Sequence, residues 1–128
     1  MDSTRTVVLD TNLLVRLVTG EPTAQARAAQ QLFDRAAHRE LQLRLPSMVI
    51  AEAFFVLVNS LDLKPITALD ALEKWIQLPG VEVMDSAAVH RTLALMRSDP
   101  KLDFVDAYVV ATAEAEDLSF TTFDRRAG

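Results

Sequence analysis

Thr6-Val7-Val8-Leu9-Asp10-Thr11-Asn12 is the stretch that decides the fold. Its first four residues form a short β-branched apolar run, which reads as a buried strand, and the run ends on an acid. Asn12 to Val18 then takes up helical spacing and stops near Gly20. Outward from this strand-acid-helix unit the alternation repeats. Thr23 to Arg39 places Ala26, Ala29, Leu32, Phe33 and Ala36 at helical spacing. Leu43-Arg44-Leu45 is a second strand candidate. Pro46-Ser47 resembles a helix start, with Ser47 able to cap it, and an apolar run follows from Met48 to Val58. Pro65 opens another helix, through Ala68, Leu69, Leu72, Trp75 and Ile76 to a stop at Pro79-Gly80. Val81 to Met84 is a third strand, and Asp85-Ser86 caps a helix carrying Val89, Leu93 and Met96. Phe104 to Glu116 is a further helix and Ser119 to Phe123 a fourth strand. Strands alternating with helices predict a single α/β domain over residues 1–128, its parallel sheet covered on both faces. Ligands of such sheets sit beyond the carboxyl ends of the strands.

Composition bounds the chemistry. The chain has 128 residues, of which 50% are hydrophobic and 24% charged, a balance that supports a packed core. It has no cysteine, so disulfides, iron-sulfur clusters, thiolate zinc sites and cysteine nucleophiles are excluded. No uncharged apolar run approaches the roughly 18 residues of a membrane span, and the expectation is a cytoplasmic protein with no membrane partner. The net charge of -5 argues against a non-specific coat for DNA or membranes. It does not exclude a nucleic-acid enzyme that gathers several acids around a cation. Of the 13 basic residues ten are arginine, the side chain suited to bidentate phosphate contacts.

Four acids stand out. Glu52 is the only charge between Met48 and Val58, and its helical neighbours Met48, Val49, Phe55 and Val56 offer it no cation. It either reaches an edge of the core or lines a pocket. Asp10 and Asp124 directly follow the first and fourth strands, where each can cap the next helix or face the crevice. Asp85 is a third strand-end acid, read only as a cap. Asp103 and Asp106 lie three residues apart at the start of the sixth helix, and Asp103 alone is best explained as a cap. If Asp10, Glu52, Asp106 and Asp124 converged, each pair at 4 Å would repel by about 4 kcal/mol at an effective dielectric of 20. Either they stand apart or a hard cation neutralises them, and oxygen ligation suits Mg²⁺ or Mn²⁺. Zinc fits poorly, because His38 and His90 are distant in sequence and lack ligand-spaced partners.

The ordered set Val8-Leu9-Asp10-Thr11-Asn12, Ser47 to Glu52, Asp103-Phe104-Val105-Asp106-Ala107 with Ala111-Thr112-Ala113, and Thr121-Thr122-Phe123-Asp124 resembles the PIN-domain ribonucleases. The closest likeness is to VapC-type toxins of bacterial toxin-antitoxin pairs. The resemblance implies an α/β/α sandwich with a four- to five-stranded parallel sheet and an acidic cluster holding Mg²⁺ or Mn²⁺. By motif position the ligands are Asp10, Glu52, Asp106 and Asp124, with Asp103 as an additional candidate, and Asn12 and Thr122 orient them. It also implies a small antitoxin partner and a homodimer.

The expected activity is metal-dependent hydrolysis of an RNA phosphodiester, leaving a 5′ phosphate. Arg16, Arg44, Lys101, Arg125 and Arg126 are candidate phosphate contacts, each equally readable as ordinary surface charge. Two rival classes remain. A phosphoacceptor signalling domain also carries strand-end acids, but it wants a lysine at a late strand end, and Lys64, Lys74 and Lys101 sit elsewhere. A catalytically silent protein-binding module would show neither Mn²⁺ binding nor RNA cleavage. Phe54, Phe55 and Trp75 are read first as core residues.

Overall fold

A computed structural model of the chain describes residues 5–116. They fall into two compact units, the first ending at Met84 and the second beginning at Asp85. The expected fourth strand, Ser119 to Phe123, lies outside the described residues, as do Asp124, Thr122, Arg125 and Arg126.

The first unit alternates strands and helices: β1 (Arg5–Val8), α1 (Thr11–Thr19), α2 (Thr23–Ala37), β2 (Leu41–Leu45), α3 (Ser47–Phe55), α4 (Pro65–Ile76) and β3 (Val81–Val83). All three strands are parallel in the order β1-β2-β3. Arg5 pairs with Leu41 and Val8 with Arg44 across the first ladder, and Leu43 with Val81 and Leu45 with Val83 across the second. A parallel neighbour can be reached only by a crossover, and both crossovers here are helical, as the alternation predicted. The order advances in one direction, so right-handed crossovers deliver both helical connections to the same face of the sheet. Side-chain burial follows that asymmetry. Leu41, Leu43 and Leu45 are buried in β2, while Arg44 between them is exposed and pairs with Glu82 of β3 at 2.9 Å. Val8 is exposed too. Within this unit one sheet face carries the core and the other carries Thr6, Val8, Arg44 and Glu82.

Local chemistry explains the element ends. Gly20 closes α1 in the left-handed region (φ 73°), where its N–H reaches the carbonyl of Arg16. At Gly80 (φ 83°) a Cβ would lie 2.4 Å from the Ala36 carbonyl oxygen, so the end of α2 and the entry to β3 approach as only glycine allows. The expected Ser47 cap is not made: Pro46 occupies the cap position and Ser47 is already helical. The apolar run to Val58 is not one α-helix either. It changes at Val56–Ser60 into a π-helical turn, closed by Leu61 N–H to the Val56 carbonyl, which keeps Leu57 buried while Asn59 bonds back to Phe55. Phe54 is buried as expected, and Trp75 packs edge-on against Phe33 with ring centres 5.3 Å apart. Phe55 is 61% exposed, which overturns its core assignment.

The second unit, within the described residues, is α5 (Ser86–Ser98) and α6 (Phe104–Ala115), packed on each other through Val89, Leu93, Met96, Phe104, Ala107 and Ala111. Arg91 grips Glu114 with two hydrogen bonds of 2.8 and 3.3 Å. Asp85 holds the cap position of α5 but makes no capping bond, because its backbone is left-handed (φ 57°). Its carboxylate instead accepts the Tyr108 hydroxyl at 3.0 Å, so the assignment of Asp85 to a cap is corrected. No helix among the described residues is long and apolar enough to cross a membrane.

Candidate active site

The carboxyl edge of the first unit's sheet carries Asp10 and, through a bond to the neighbouring Thr11, Glu52. β1 ends at Val8, Leu9 extends the ladder with its N–H on the Arg44 carbonyl, and Asp10 follows. One Asp10 oxygen accepts the Leu13 N–H at 2.9 Å, so the acid caps α1. Capping and facing the crevice are therefore not alternatives at this residue: the cap fixes one oxygen and leaves the second uncommitted by any hydrogen bond among the described residues.

Glu52 reaches the same edge from α3. Its Oε1 accepts the Thr11 hydroxyl at 2.5 Å, a bond between residues 41 apart in sequence. This is the partner that α3 itself does not offer. Glu52 is exposed, which selects the edge reading over burial in an unpaired state. The sequence gives Thr11 no role of its own, although a hydroxyl directly after a strand-end acid is the available signal for it. Two carboxylates are thus held at one strand-to-helix junction, Asp10 by the Leu13 N–H and Glu52 by the Thr11 hydroxyl.

That donor set suits a hard dication. Mg²⁺ is typically bound through one or two carboxylates plus waters and substrate phosphate, so Asp10 and Glu52 are donors of the type that could hold one. Neither unit by itself gathers three or more carboxylates or imidazoles among the described residues. In the second unit Asp103 caps α6, accepting the Asp106 N–H at 2.9 Å, as expected for Asp103. Asp106 sits in the first turn of that helix and is half-buried. Both histidines bond locally through Nδ1, His38 to the Asp34 carbonyl and His90 to that of Ser86.

Asn12 bonds to neither acid among the described residues. It lines a cavity of about 330 Å³ between α1 and α2, together with Asp10, Leu13, Arg16, Gln25, Ala28, Ala29 and Leu32. Of the candidate phosphate contacts among the described residues, Arg44 is paired with Glu82, Lys101 lies in the α5–α6 connection, and Arg16 lines this cavity.

A parallel α/β unit with acids at the carboxyl edge of its sheet is the arrangement in which that edge takes the ligand. A family model for the PIN domain matches residues 7–127, and the chain belongs to the PIN-domain family. PIN domains have a nuclease-type fold, are commonly nucleases, and as nucleases generally use divalent metal ions. No curated protein matches the chain.

Proposed function

We propose that the chain is a metal-dependent endoribonuclease, the toxin of a VapBC-type toxin-antitoxin pair. The observation that carries the reading is the Thr11–Glu52 hydrogen bond, which tethers a helix glutamate beside the strand-end aspartate. Asp10 and Glu52 would hold Mg²⁺ or Mn²⁺, with Asp106 and Asp124 as the further acids of the proposed set and Asp103 assisting or only capping. Such an ion would supply an activated water and charge stabilisation for the phosphodiester. Asp10 presents its ligand oxygen in an orientation set by the Leu13 N–H, and Thr11 holds Glu52 against swinging into solvent. Both acids are thereby pre-oriented before cation and RNA arrive. The partners in this reading are an RNA substrate, a small antitoxin that covers the acidic crevice, and a second copy of the chain.

The test is cleavage of single-stranded RNA by the purified chain in Mn²⁺. Cleavage leaving 5′ phosphates, abolished by EDTA, is expected. Asp10→Asn and Glu52→Gln should each lose at least 100-fold in rate while keeping the fold, because asparagine caps a helix as well as aspartate does. Full activity in EDTA or in Asp10→Asn refutes the mechanism. Mn²⁺ binding without cleavage of any RNA returns the chain to a silent module.

A further inference from the structure

We infer that the cavity between α1 and α2 is a phosphate subsite for RNA, with Arg16 as its anion ligand; this rests on the nuclease reading and assigns a residue to hold the substrate. The guanidinium is always charged and carries five N–H donors. Arg16 Nε is closed off from solvent and has no hydrogen-bond partner. Buried donors are nearly always paired, and leaving one unpaired costs about 1–3 kcal/mol, more for a charged group. The other arginines of the first unit are satisfied in one of two ways: Arg35 pairs with Glu40 and Arg44 with Glu82, while Arg5, Arg27 and Arg39 are exposed to solvent. Arg16 makes no ion pair among the described residues, although Asp10 lines the same cavity. The cavity wall therefore includes both an acid and an arginine whose Nε is unpaired.

A phosphodiester strand fits that pair. A phosphate oxygen meets the guanidinium where Arg16 lines the cavity, reaching Nε only if the side chain turns outward, and the chain continues toward the acidic edge, where Asp10 faces the bond to be cut. The remaining wall, Leu13, Ala28, Ala29 and Leu32, is apolar and suited to a ribose or base, and Asn12 and Gln25 supply polar rims. The volume of about 330 Å³ lies at the lower end of the range for small-ligand sites, about 300–1,000 Å³. A protein carboxylate is the competing occupant, but it brings a single anionic group, whereas an RNA strand brings successive phosphates together with sugar and base surface for the apolar wall.

The experiment measures binding of a fluorescein-labelled single-stranded oligoribonucleotide to the full chain in EDTA across a salt series, with melting temperature alongside. Arg16→Gln should weaken binding about tenfold or more and flatten the logarithmic salt dependence by about 0.7, the signature of one lost phosphate contact. Its melting temperature should not fall, since no bond within the protein is removed. Ala28→Phe, at an exposed position on the cavity wall, should weaken binding as well. Unchanged affinity and salt slope in Arg16→Gln overturn the inference and return the cavity to a protein partner. So does a weakened affinity matched by a lowered melting temperature, which marks Arg16 as structural, and so does a wild-type chain with no affinity for the oligonucleotide. A wild-type chain that binds RNA through Arg16 but never cuts it in Mn²⁺ sinks the nuclease reading and leaves the subsite standing.

Discussion

At the scale of single residues, the site turns on two side chains that do double duty. Asp10 serves the helix with one oxygen and leaves the other for a ligand, so substitutions separate the two roles. Asp10→Ala should lower stability by about 1 kcal/mol through the lost cap, visible in denaturant unfolding, whereas Asp10→Asn should not. Thr11 positions Glu52. Thr11→Val should cut kcat about tenfold with KM little changed, and Thr11→Ser, which restores the hydroxyl, should recover most of it; equal loss in both variants assigns the effect to packing instead. The need for a partner to Glu52 was legible in the sequence, because no cation lies on its own helix. The identity of the partner was not, since Thr11 is 41 residues away and nothing local announces the contact.

Among the elements, periodicity located every strand and helix within the described residues, usually to within two residues, because the strands carry short β-branched or leucine-alternating runs and the helices carry regular stripes. Its failures share a cause. Ser47 and Asp85 follow the usual pattern for caps, but Pro46 takes the first cap and a left-handed backbone turns the second carboxylate to Tyr108. Neither backbone angle is written in the residue type. Phe55 has the hydrophobicity of a core residue but lies on the side of α3 that nothing in its unit covers. Glycine supplies the element-scale prediction. Gly80→Ala meets the Ala36 carbonyl at 2.4 Å in a backbone conformation that alanine resists, so it should cost more than about 2 kcal/mol, measured as a shift in urea midpoint. Gly20→Ala has open space around it and should cost about 1 kcal/mol, from backbone strain alone.

For the molecule as a whole, stability should respond to acid and to metal. The Arg91 guanidinium, hydrogen-bonded to Glu114, holds that carboxyl below its ordinary value. A depressed acid stabilises the fold above its unfolded pKa, and the contribution disappears as pH falls through the folded value. Melting temperatures should therefore differ between wild type and Glu114→Gln near neutrality and converge below about pH 4, with high salt shrinking the gap, because the pair is exposed. Mn²⁺ should raise the melting temperature of wild type, equivalent to about 2.7 kcal/mol at a hundredfold excess over Kd, and leave Glu52→Gln little changed. The Leu13 amide joins these scales. The same N–H that begins α1 also sets the carboxylate of Asp10, so every transient fraying of that first turn disarms the acid for as long as it lasts. Deuterium uptake at this single amide is then a clock for the fraction of time the centre stands ready, and ligands that slow it act by holding a helix end shut.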